Sequence, residues 1–202
     1  MAEIRTIFWD VGGVLLTNAW DRVQRNSALE KFHLDEEEFH DRHEMVVSSF
    51  ERGKITIAEY LDHTVFYRAR PFTRDEFQEY MFSLSRPFPE VLDFARSLAG
   101  RNYFMATINN ESRELNLHRI EKYGLRGIFQ LFVSSCFVGM RKPEVGIYRL
   151  AVETTQRPPE ECCFIDDRAL NLECARQLGM QAIEMQDVGQ LRQDLARLGV
   201  SV

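Results

Sequence analysis

The sequence predicts an α/β fold in which a parallel sheet has helices on both faces and is interrupted by an inserted block of helices. From about residue 87 onwards, strand-like and helix-like segments alternate, which is the pattern of right-handed βαβ units. Residues 20–84 instead show only helical periodicity, and they follow a first strand-like run. We therefore expect one α/β domain formed by residues 1–16 and 87–202, with an inserted helical domain at residues 17–86.

The elements of the α/β domain follow from apolar runs and from the residues that punctuate them. Residues 6–9 are β-branched or aromatic and end at Asp10, so they predict the first strand. Gly100 ends the helix that begins near residue 90. Further strands are predicted at 103–106, 132–134, 162–165 and 181–183, and helices at 90–98, 112–123, 144–154, 168–178 and near the C terminus.

The inserted block predicts about four packed helices, two of which have clear start signals. Thr56 followed by Glu59, and Thr73 followed by Glu76, both fit a capping box. In that motif the hydroxyl and the carboxylate satisfy the first free backbone donors of the helix.

Composition and charge exclude several classes of protein. The 202 residues are 45% apolar and 28% charged, which is typical of a globular chain. The net charge of −6 argues against a nucleic-acid or anionic-membrane surface, because both need a clustered cationic face. The absence of a ~18-residue apolar run, of a secretory leader and of paired cysteines predicts a cytoplasmic protein without a membrane span. Nothing in the sequence requires more than a monomer or a weak homo-oligomer.

Polar side chains follow four of the predicted strands, where a parallel sheet gathers functional groups. Asp10 precedes Gly12 and Gly13, and Thr107 lies at the end of the second strand. Lys142 stands before a predicted helix, and Asp166 and Asp167 follow a later strand. Taken singly, these residues also fit ordinary roles as turn, helix-capping or solvated side chains.

These four motifs, in this order and on these elements, resemble the haloacid dehalogenase superfamily of aspartyl-nucleophile hydrolases. The resemblance covers nearly the whole chain and implies a Rossmann-like core with a small helical cap formed by residues 17–86. The Asp-x-Gly-Gly start and the Glu-Arg-Gly before a helix of the insertion are similar to bacterial sugar-phosphate phosphatases, such as α-glucose-1-phosphate phosphatases.

The resemblance implies a catalytic and metal-binding role for each matched residue. Asp10 would be the nucleophile that forms an aspartyl-phosphate. Lys142 would neutralise the nucleophile and a phosphoryl oxygen. Mg²⁺ would be held by Asp10, the backbone carbonyl of Gly12 and Asp167, with Asp166 as an indirect or water-mediated partner.

The resemblance also implies contacts with a small phosphorylated metabolite such as a sugar phosphate. The Thr107 hydroxyl would orient a phosphoryl oxygen, and backbone donors at Gly13 and Ile108 would complete the phosphate cradle. Asn109 is a further candidate in the same loop, and Arg52 of the insertion is a candidate for binding the leaving group.

One position departs from the family pattern. Most phosphatases of this family carry a second aspartate two residues after the nucleophile, and here that position is Gly12. General acid–base assistance contributes about 10²–10⁴ in rate, so we expect a slow phosphatase or one that prefers activated phosphoryl groups. Two alternatives remain open: a metal-independent 2-haloacid dehalogenase, and a catalytically weakened protein that binds or regulates.

Overall fold

A parallel sheet is the centre of the molecule in the computed structural model, which describes residues 2–202. Its five strands lie in the order β3-β2-β1-β4-β5. The strand bounds are β1 Thr6–Trp9, β2 Phe104–Asn109, β3 Leu131–Ser134, β4 Cys162–Asp166 and β5 Gln181–Glu184. The parallel α/β sheet predicted from the alternating pattern is confirmed.

The register of the central strands determines which residues meet beyond the sheet. Trp9 at the end of β1 pairs with Thr107 of β2 and with Ile165 of β4. The Asp10 backbone N–H donates to the Ile165 carbonyl at 2.8 Å, which continues this alignment by one residue. The loops that follow β1 and β4 therefore leave the sheet side by side.

The helices of residues 2–202 follow the predicted order, apart from one short helix. They are α1 Arg22–Lys31, α2 Glu36–Glu51, α3 Ile57–Thr64, α4 Arg74–Ser83, α5 Pro89–Ala99, α6 Arg113–Lys122, α7 Ser135–Val138, α8 Val145–Thr155, α9 Ala169–Gln177 and α10 Val188–Arg197. The short helix α7 was not predicted, because four residues are too few for a periodic apolar pattern.

Each face of the sheet has its own buried core. On one face, Ile7 and Trp9 lie in a cluster with Phe94 of α5 and Leu191 of α10. On the other face, Phe8 packs in a cluster that includes residues of α8 and α9, in which Tyr148 is fully buried. Successive residues of β1 thus point to opposite cores, as the period of a strand requires.

The α1–α4 segment has a third core of its own. Phe39, Tyr60 and Phe77 are buried in it together with Leu115, which belongs to α6. Both predicted capping boxes are present, at Thr56 and at Thr73. No helix among residues 2–202 is long and apolar enough to cross a membrane.

The two ends of this segment meet at one place. The Thr17 backbone N–H donates to the Arg86 carbonyl at 2.8 Å, and the Arg86 N–H donates to Thr17 Oγ1 at 2.9 Å. Beside them, Leu16 and Pro87 form an isolated antiparallel bridge. The chain therefore leaves and re-enters the α/β layer through a single junction.

Candidate active site

A cleft of about 350 Å³ lies between the carboxyl end of the sheet and the α1–α4 segment. The loop after β1 contributes Asp10 and Gly12, and the loop before α8 contributes Lys142. From the helical segment, His43 and Glu51 of α2 line the same cleft. Volumes of about 300–1,000 Å³ are typical of small-molecule sites.

A lysine held between two carboxylates forms the floor of the cleft. Lys142 Nζ lies 2.9 Å from Asp10 Oδ1 and 2.6 Å from Asp166 Oδ2, and all three side chains are buried. Burial opposes the charged form of Lys142, but the attraction of Asp10 and Asp166 outweighs it and raises the pKa of Lys142. The ammonium group therefore stays charged beside the proposed nucleophile.

Asp166 is occupied by hydrogen bonds within the protein. Its Oδ1 accepts from the Arg168 backbone N–H at 2.8 Å and from Asn171 Nδ2 at 3.0 Å, while Oδ2 receives Lys142. A fully buried carboxylate with this many donors is well suited to holding the lysine in place. This agrees with an indirect role for Asp166.

Asp167 has the features expected of a cation ligand. Asp10, Asp166 and Asp167 each offer a carboxylate oxygen, and these oxygens lie within 4.8 Å of one another. The buried Oδ1 of Asp167 forms no hydrogen bond with any residue in the described part of the chain. Buried polar atoms are nearly always satisfied, and Mg²⁺ prefers carboxylate oxygens, so these residues fit Mg²⁺.

Gly13 is what allows Asp167 to approach the loop after β1. A Cβ at position 13 would lie 2.5 Å from the Asp167 carboxyl carbon, and the backbone φ of +80° is one that glycine adopts freely. The space normally filled by a side chain is therefore filled by the carboxylate.

Burial disfavours the charged form of the Asp10 carboxylate. Burial raises the pKa of Asp10 to about 7, although Lys142 opposes this shift. Its Oδ1 accepts from the Val11 N–H at 2.7 Å. A cation bound at the carboxylate cluster would favour the ionised form, because opposite charge stabilises a carboxylate.

The structure places Thr107 away from the cleft, contrary to the predicted phosphoryl contact. Thr107 is fully buried and pairs with Trp9, whose side chain lies in one of the sheet cores. Its hydroxyl has no hydrogen-bond partner among residues 2–202. β2 continues to Asn109, beyond its predicted end at residue 106. Thr107 thus lies inside the strand rather than at its exit.

The other predicted phosphate contacts are also engaged within the protein. Ile108 is buried within β2, and the Asn109 amide donates to Asn116 Oδ1 at 3.0 Å while its Oδ1 accepts from Ser134 Oγ. The Gly13 N–H donates to the Leu16 carbonyl at 2.7 Å.

The next residues of this loop, Asn110, Glu111 and Ser112, do line the cleft. Asn110 also contacts the backbone of Lys142. Its Oδ1 accepts from the Lys142 N–H at 2.8 Å, and its Nδ2 donates to the Lys142 carbonyl at 2.9 Å. Asn110 therefore fixes the backbone that presents the lysine.

Arg52, predicted to reach the leaving group, is bound elsewhere. Its guanidinium forms an ion pair with Glu144 at the start of α8 and donates to the Gly139 carbonyl at 2.9 Å. It is not among the residues that line the cleft. Arg52 instead connects the end of α2 to the α/β layer, and the sequence separation of this pair explains why the sequence did not reveal it.

A buried ion pair borders the position of the missing aspartate. A Cβ on Gly12 would lie 2.6 Å from Asn18 Oδ1 and 3.5 Å from Arg119 Nη1. Arg119 Nη1 is 3.0 Å from Glu111 Oε2, and both residues line the cleft. Burial raises the pKa of Glu111 to about 7 despite this guanidinium. The sequence feature that could have indicated this pair is the presence of polar residues, Asn116 and Arg119, on the buried face of α6.

Comparison with known proteins assigns this chain to a family. The family model described as haloacid dehalogenase-like hydrolase matches residues 4–179. A flavin mononucleotide hydrolase of Arabidopsis thaliana chloroplasts is 29% identical over 161 residues, which is 80% of this chain. This chain spans only 65% of the length of that relative.

Solved structures share the fold. A haloacid dehalogenase family enzyme of Bacteroides thetaiotaomicron, crystallised with magnesium and inorganic phosphate, superposes with a TM-score of 0.78. It is 24% identical, and the match covers 93% of this chain and 98% of that chain. An L-2-haloacid dehalogenase superposes with a TM-score of 0.64 at 19% identity, covering 90% of this chain and 84% of that chain.

Proposed function

Because the chain belongs to the haloacid dehalogenase-like hydrolase family, we propose that it is a Mg²⁺-dependent phosphatase of a small phosphomonoester such as a sugar phosphate. The observation that supports this most directly is the arrangement around Asp10. An ammonium group lies 2.9 Å from this carboxylate, and three carboxylate oxygens lie within 4.8 Å of one another. The magnesium and phosphate bound by the Bacteroides enzyme add support.

The proposed reaction has two steps on Asp10. A carboxylate oxygen of Asp10 forms a bond to phosphorus while the bond from phosphorus to the leaving oxygen breaks, which gives an aspartyl-phosphate and an alkoxide that takes a proton from water to become the alcohol. Water then attacks phosphorus, and the bond to Asp10 breaks to release phosphate. Lys142 offsets the negative charge of the nucleophile and the phosphoryl group.

Mg²⁺ would be held by Asp10 and Asp167, with the Gly12 carbonyl as the further proposed ligand. When bound, it supplies the positive charge that brings two anions together. Asp166 keeps Lys142 in place through its contact of 2.6 Å.

The absence of a carboxylate at position 12 supports a slow reaction with poor leaving groups. No side chain on Gly12 can give a proton to the departing oxygen, and such help contributes about 10²–10⁴ in rate. Aryl phosphates need less of this help, so they should be hydrolysed faster than alkyl phosphates.

A comparison of Asp10→Asn with the wild type tests the proposal. We expect Mg²⁺-dependent hydrolysis of p-nitrophenyl phosphate by the wild type and loss of nearly all of it in Asp10→Asn. Asp93→Asn is the matched control, because Asp93 is exposed on α5. Equal rates in wild type and Asp10→Asn would refute the enzymatic role of Asp10.

The same preparation separates the two alternatives. Chloride release from a 2-haloacid in EDTA, without phosphatase activity, would show a dehalogenase. Absence of both activities in a folded protein would favour the binding or regulatory role.

A further inference from the structure

We infer that the substrate carries a second anionic group on its leaving-group side, a carboxylate or another phosphate, and that Arg25 of α1 binds it. This inference rests on the proposed phosphatase function and specifies its substrate class.

The cationic side chains that line the cleft are almost all paired. Lys142 lies between Asp10 and Asp166, as described above. Three of the arginines have a carboxylate partner at 2.7–3.2 Å. These pairs are Arg119 with Glu111, Arg141 with Glu51, and Arg168 with Asp21.

Arg25 lines the same cleft but has no such partner. Across residues 2–202, no carboxylate oxygen lies within 4.0 Å of its guanidinium. Its Nη1 donates to the Trp20 carbonyl at 2.7 Å, and its buried Nε has no hydrogen-bond partner in the same residues. The side chain is half-buried, and this burial lowers the pKa of Arg25.

A half-buried guanidinium without a counter-charge is unfavourable unless something else supplies one. Among the carboxylates, Asp21 and Glu51 act on Arg25 electrostatically, but they already pair with Arg168 and Arg141. The remaining candidate is an anion that enters the cleft.

The position of Arg25 indicates which part of the substrate it meets. Asp10 and Lys142 stand at the sheet and would face the phosphoryl group, whereas Arg25 belongs to the α1–α4 segment on the other wall. A phosphomonoester bound at Asp10 would therefore extend its leaving group towards α1. The planar fork of arginine matches both carboxylate and phosphate oxygens.

Three esters with the same three-carbon chain test the inference. They are 3-hydroxypropyl phosphate, 3-(phosphonooxy)propanoate and propane-1,3-diyl bisphosphate, which end in a hydroxyl, a carboxylate and a phosphate. Hydrogen bonds to charged groups contribute about 1.5–3 kcal/mol, so we expect wild-type kcat/KM to be about 10–100-fold higher for an anionic ester than for the hydroxyl ester. Whether the carboxylate or the bisphosphate is preferred identifies the anion.

Arg25→Met should abolish this preference, with the loss in kcat/KM for the anionic esters appearing mainly in KM. Arg22→Met is the matched control, because Arg22 is exposed on the same helix and is not part of the cleft lining. Arg25→Lys, which keeps the charge, should retain part of the preference and also guards against misfolding of the methionine variant.

The outcomes distinguish this inference from the function on which it rests. Hydrolysis of p-nitrophenyl phosphate without any preference among the three esters would overturn the role of Arg25 alone. A preference that persists in folded Arg25→Met would do the same. Inactivity of the wild type towards every phosphomonoester would overturn the phosphatase proposal, and the inference with it.

Discussion

Replacing Gly13 with alanine should damage metal binding far more than it damages the fold. The new Cβ would lie 2.5 Å from the Asp167 carboxyl carbon, which is too close for atoms that are not bonded, so the carboxylate must move. We have proposed Asp167 as a Mg²⁺ ligand. The substitution therefore changes the metal site without removing any of its side chains.

Gly13→Ala should have two effects of different size, a small loss of thermal stability and a large loss of Mg²⁺ affinity. A non-glycine residue with left-handed backbone geometry costs about 1–2 kcal/mol, which in a chain of this size lowers Tm by roughly 2–8 °C. Displacing the Asp167 carboxylate should raise the Mg²⁺ concentration for half-maximal activity by at least about 10–100-fold. Losses of this size in metal affinity are typical even when only a residue that hydrogen-bonds to a metal ligand is replaced.

Gly124→Ala is the matched control. Gly124 also has a positive φ, of +62°, but nothing lies within 4 Å of the position that its Cβ would take. It should show the same loss of Tm and an unchanged Mg²⁺ requirement. Thermal melts and Mg²⁺ titrations of p-nitrophenyl phosphate hydrolysis measure the two quantities. If both variants kept the wild-type Mg²⁺ requirement, the assignment of Asp167 as a ligand would be wrong.

Two further predictions concern the space around the missing aspartate. Gly12→Asp should increase the turnover of 3-hydroxypropyl phosphate by up to about 10². The gain should be larger in the double variant with Asn18→Ala, which removes the oxygen that lies 2.6 Å from the new Cβ. Unchanged or lower turnover in both variants would contradict this prediction. Burial raises the pKa of Glu111 from 4.5 to about 7, so between these pH values the folded state binds more protons than the unfolded chain and stability falls as pH rises. Glu111→Gln should reduce that fall, as measured by urea unfolding at pH 5 and pH 7.5; an identical pH slope would refute the shift.

The parts of the fold that depend on local pattern could be predicted from the sequence. The strand at residues 6–9 and the two capping boxes are encoded by neighbouring residues. Asp10 and Lys142 could be related because residues beyond parallel strands converge, whatever their separation along the chain.

The remaining features depend on side-chain direction or on distant partners. Thr107 was misplaced because a strand that runs three residues further turns its hydroxyl towards the core. Arg52 was misplaced because its partner Glu144 lies 92 residues away. Arg25 could not be identified from the sequence, since the role proposed for it rests on the lack of a carboxylate partner in the folded structure.

The junction at Thr17 and Arg86 separates two parts of the chain that contribute different walls of the cleft. Hydrogen bonds hold the two crossings together, so the helical segment is joined covalently to the α/β layer at a single place. A different set of helices between Leu16 and Pro87 would keep β1 and the loop with Asp10, but it would have to replace the contacts that Glu51 and Arg52 make with the α/β layer. Exchanging this one contiguous stretch of sequence would therefore change the wall of the cleft that α1 and α2 contribute, while Asp10 and Lys142 would remain part of the chain.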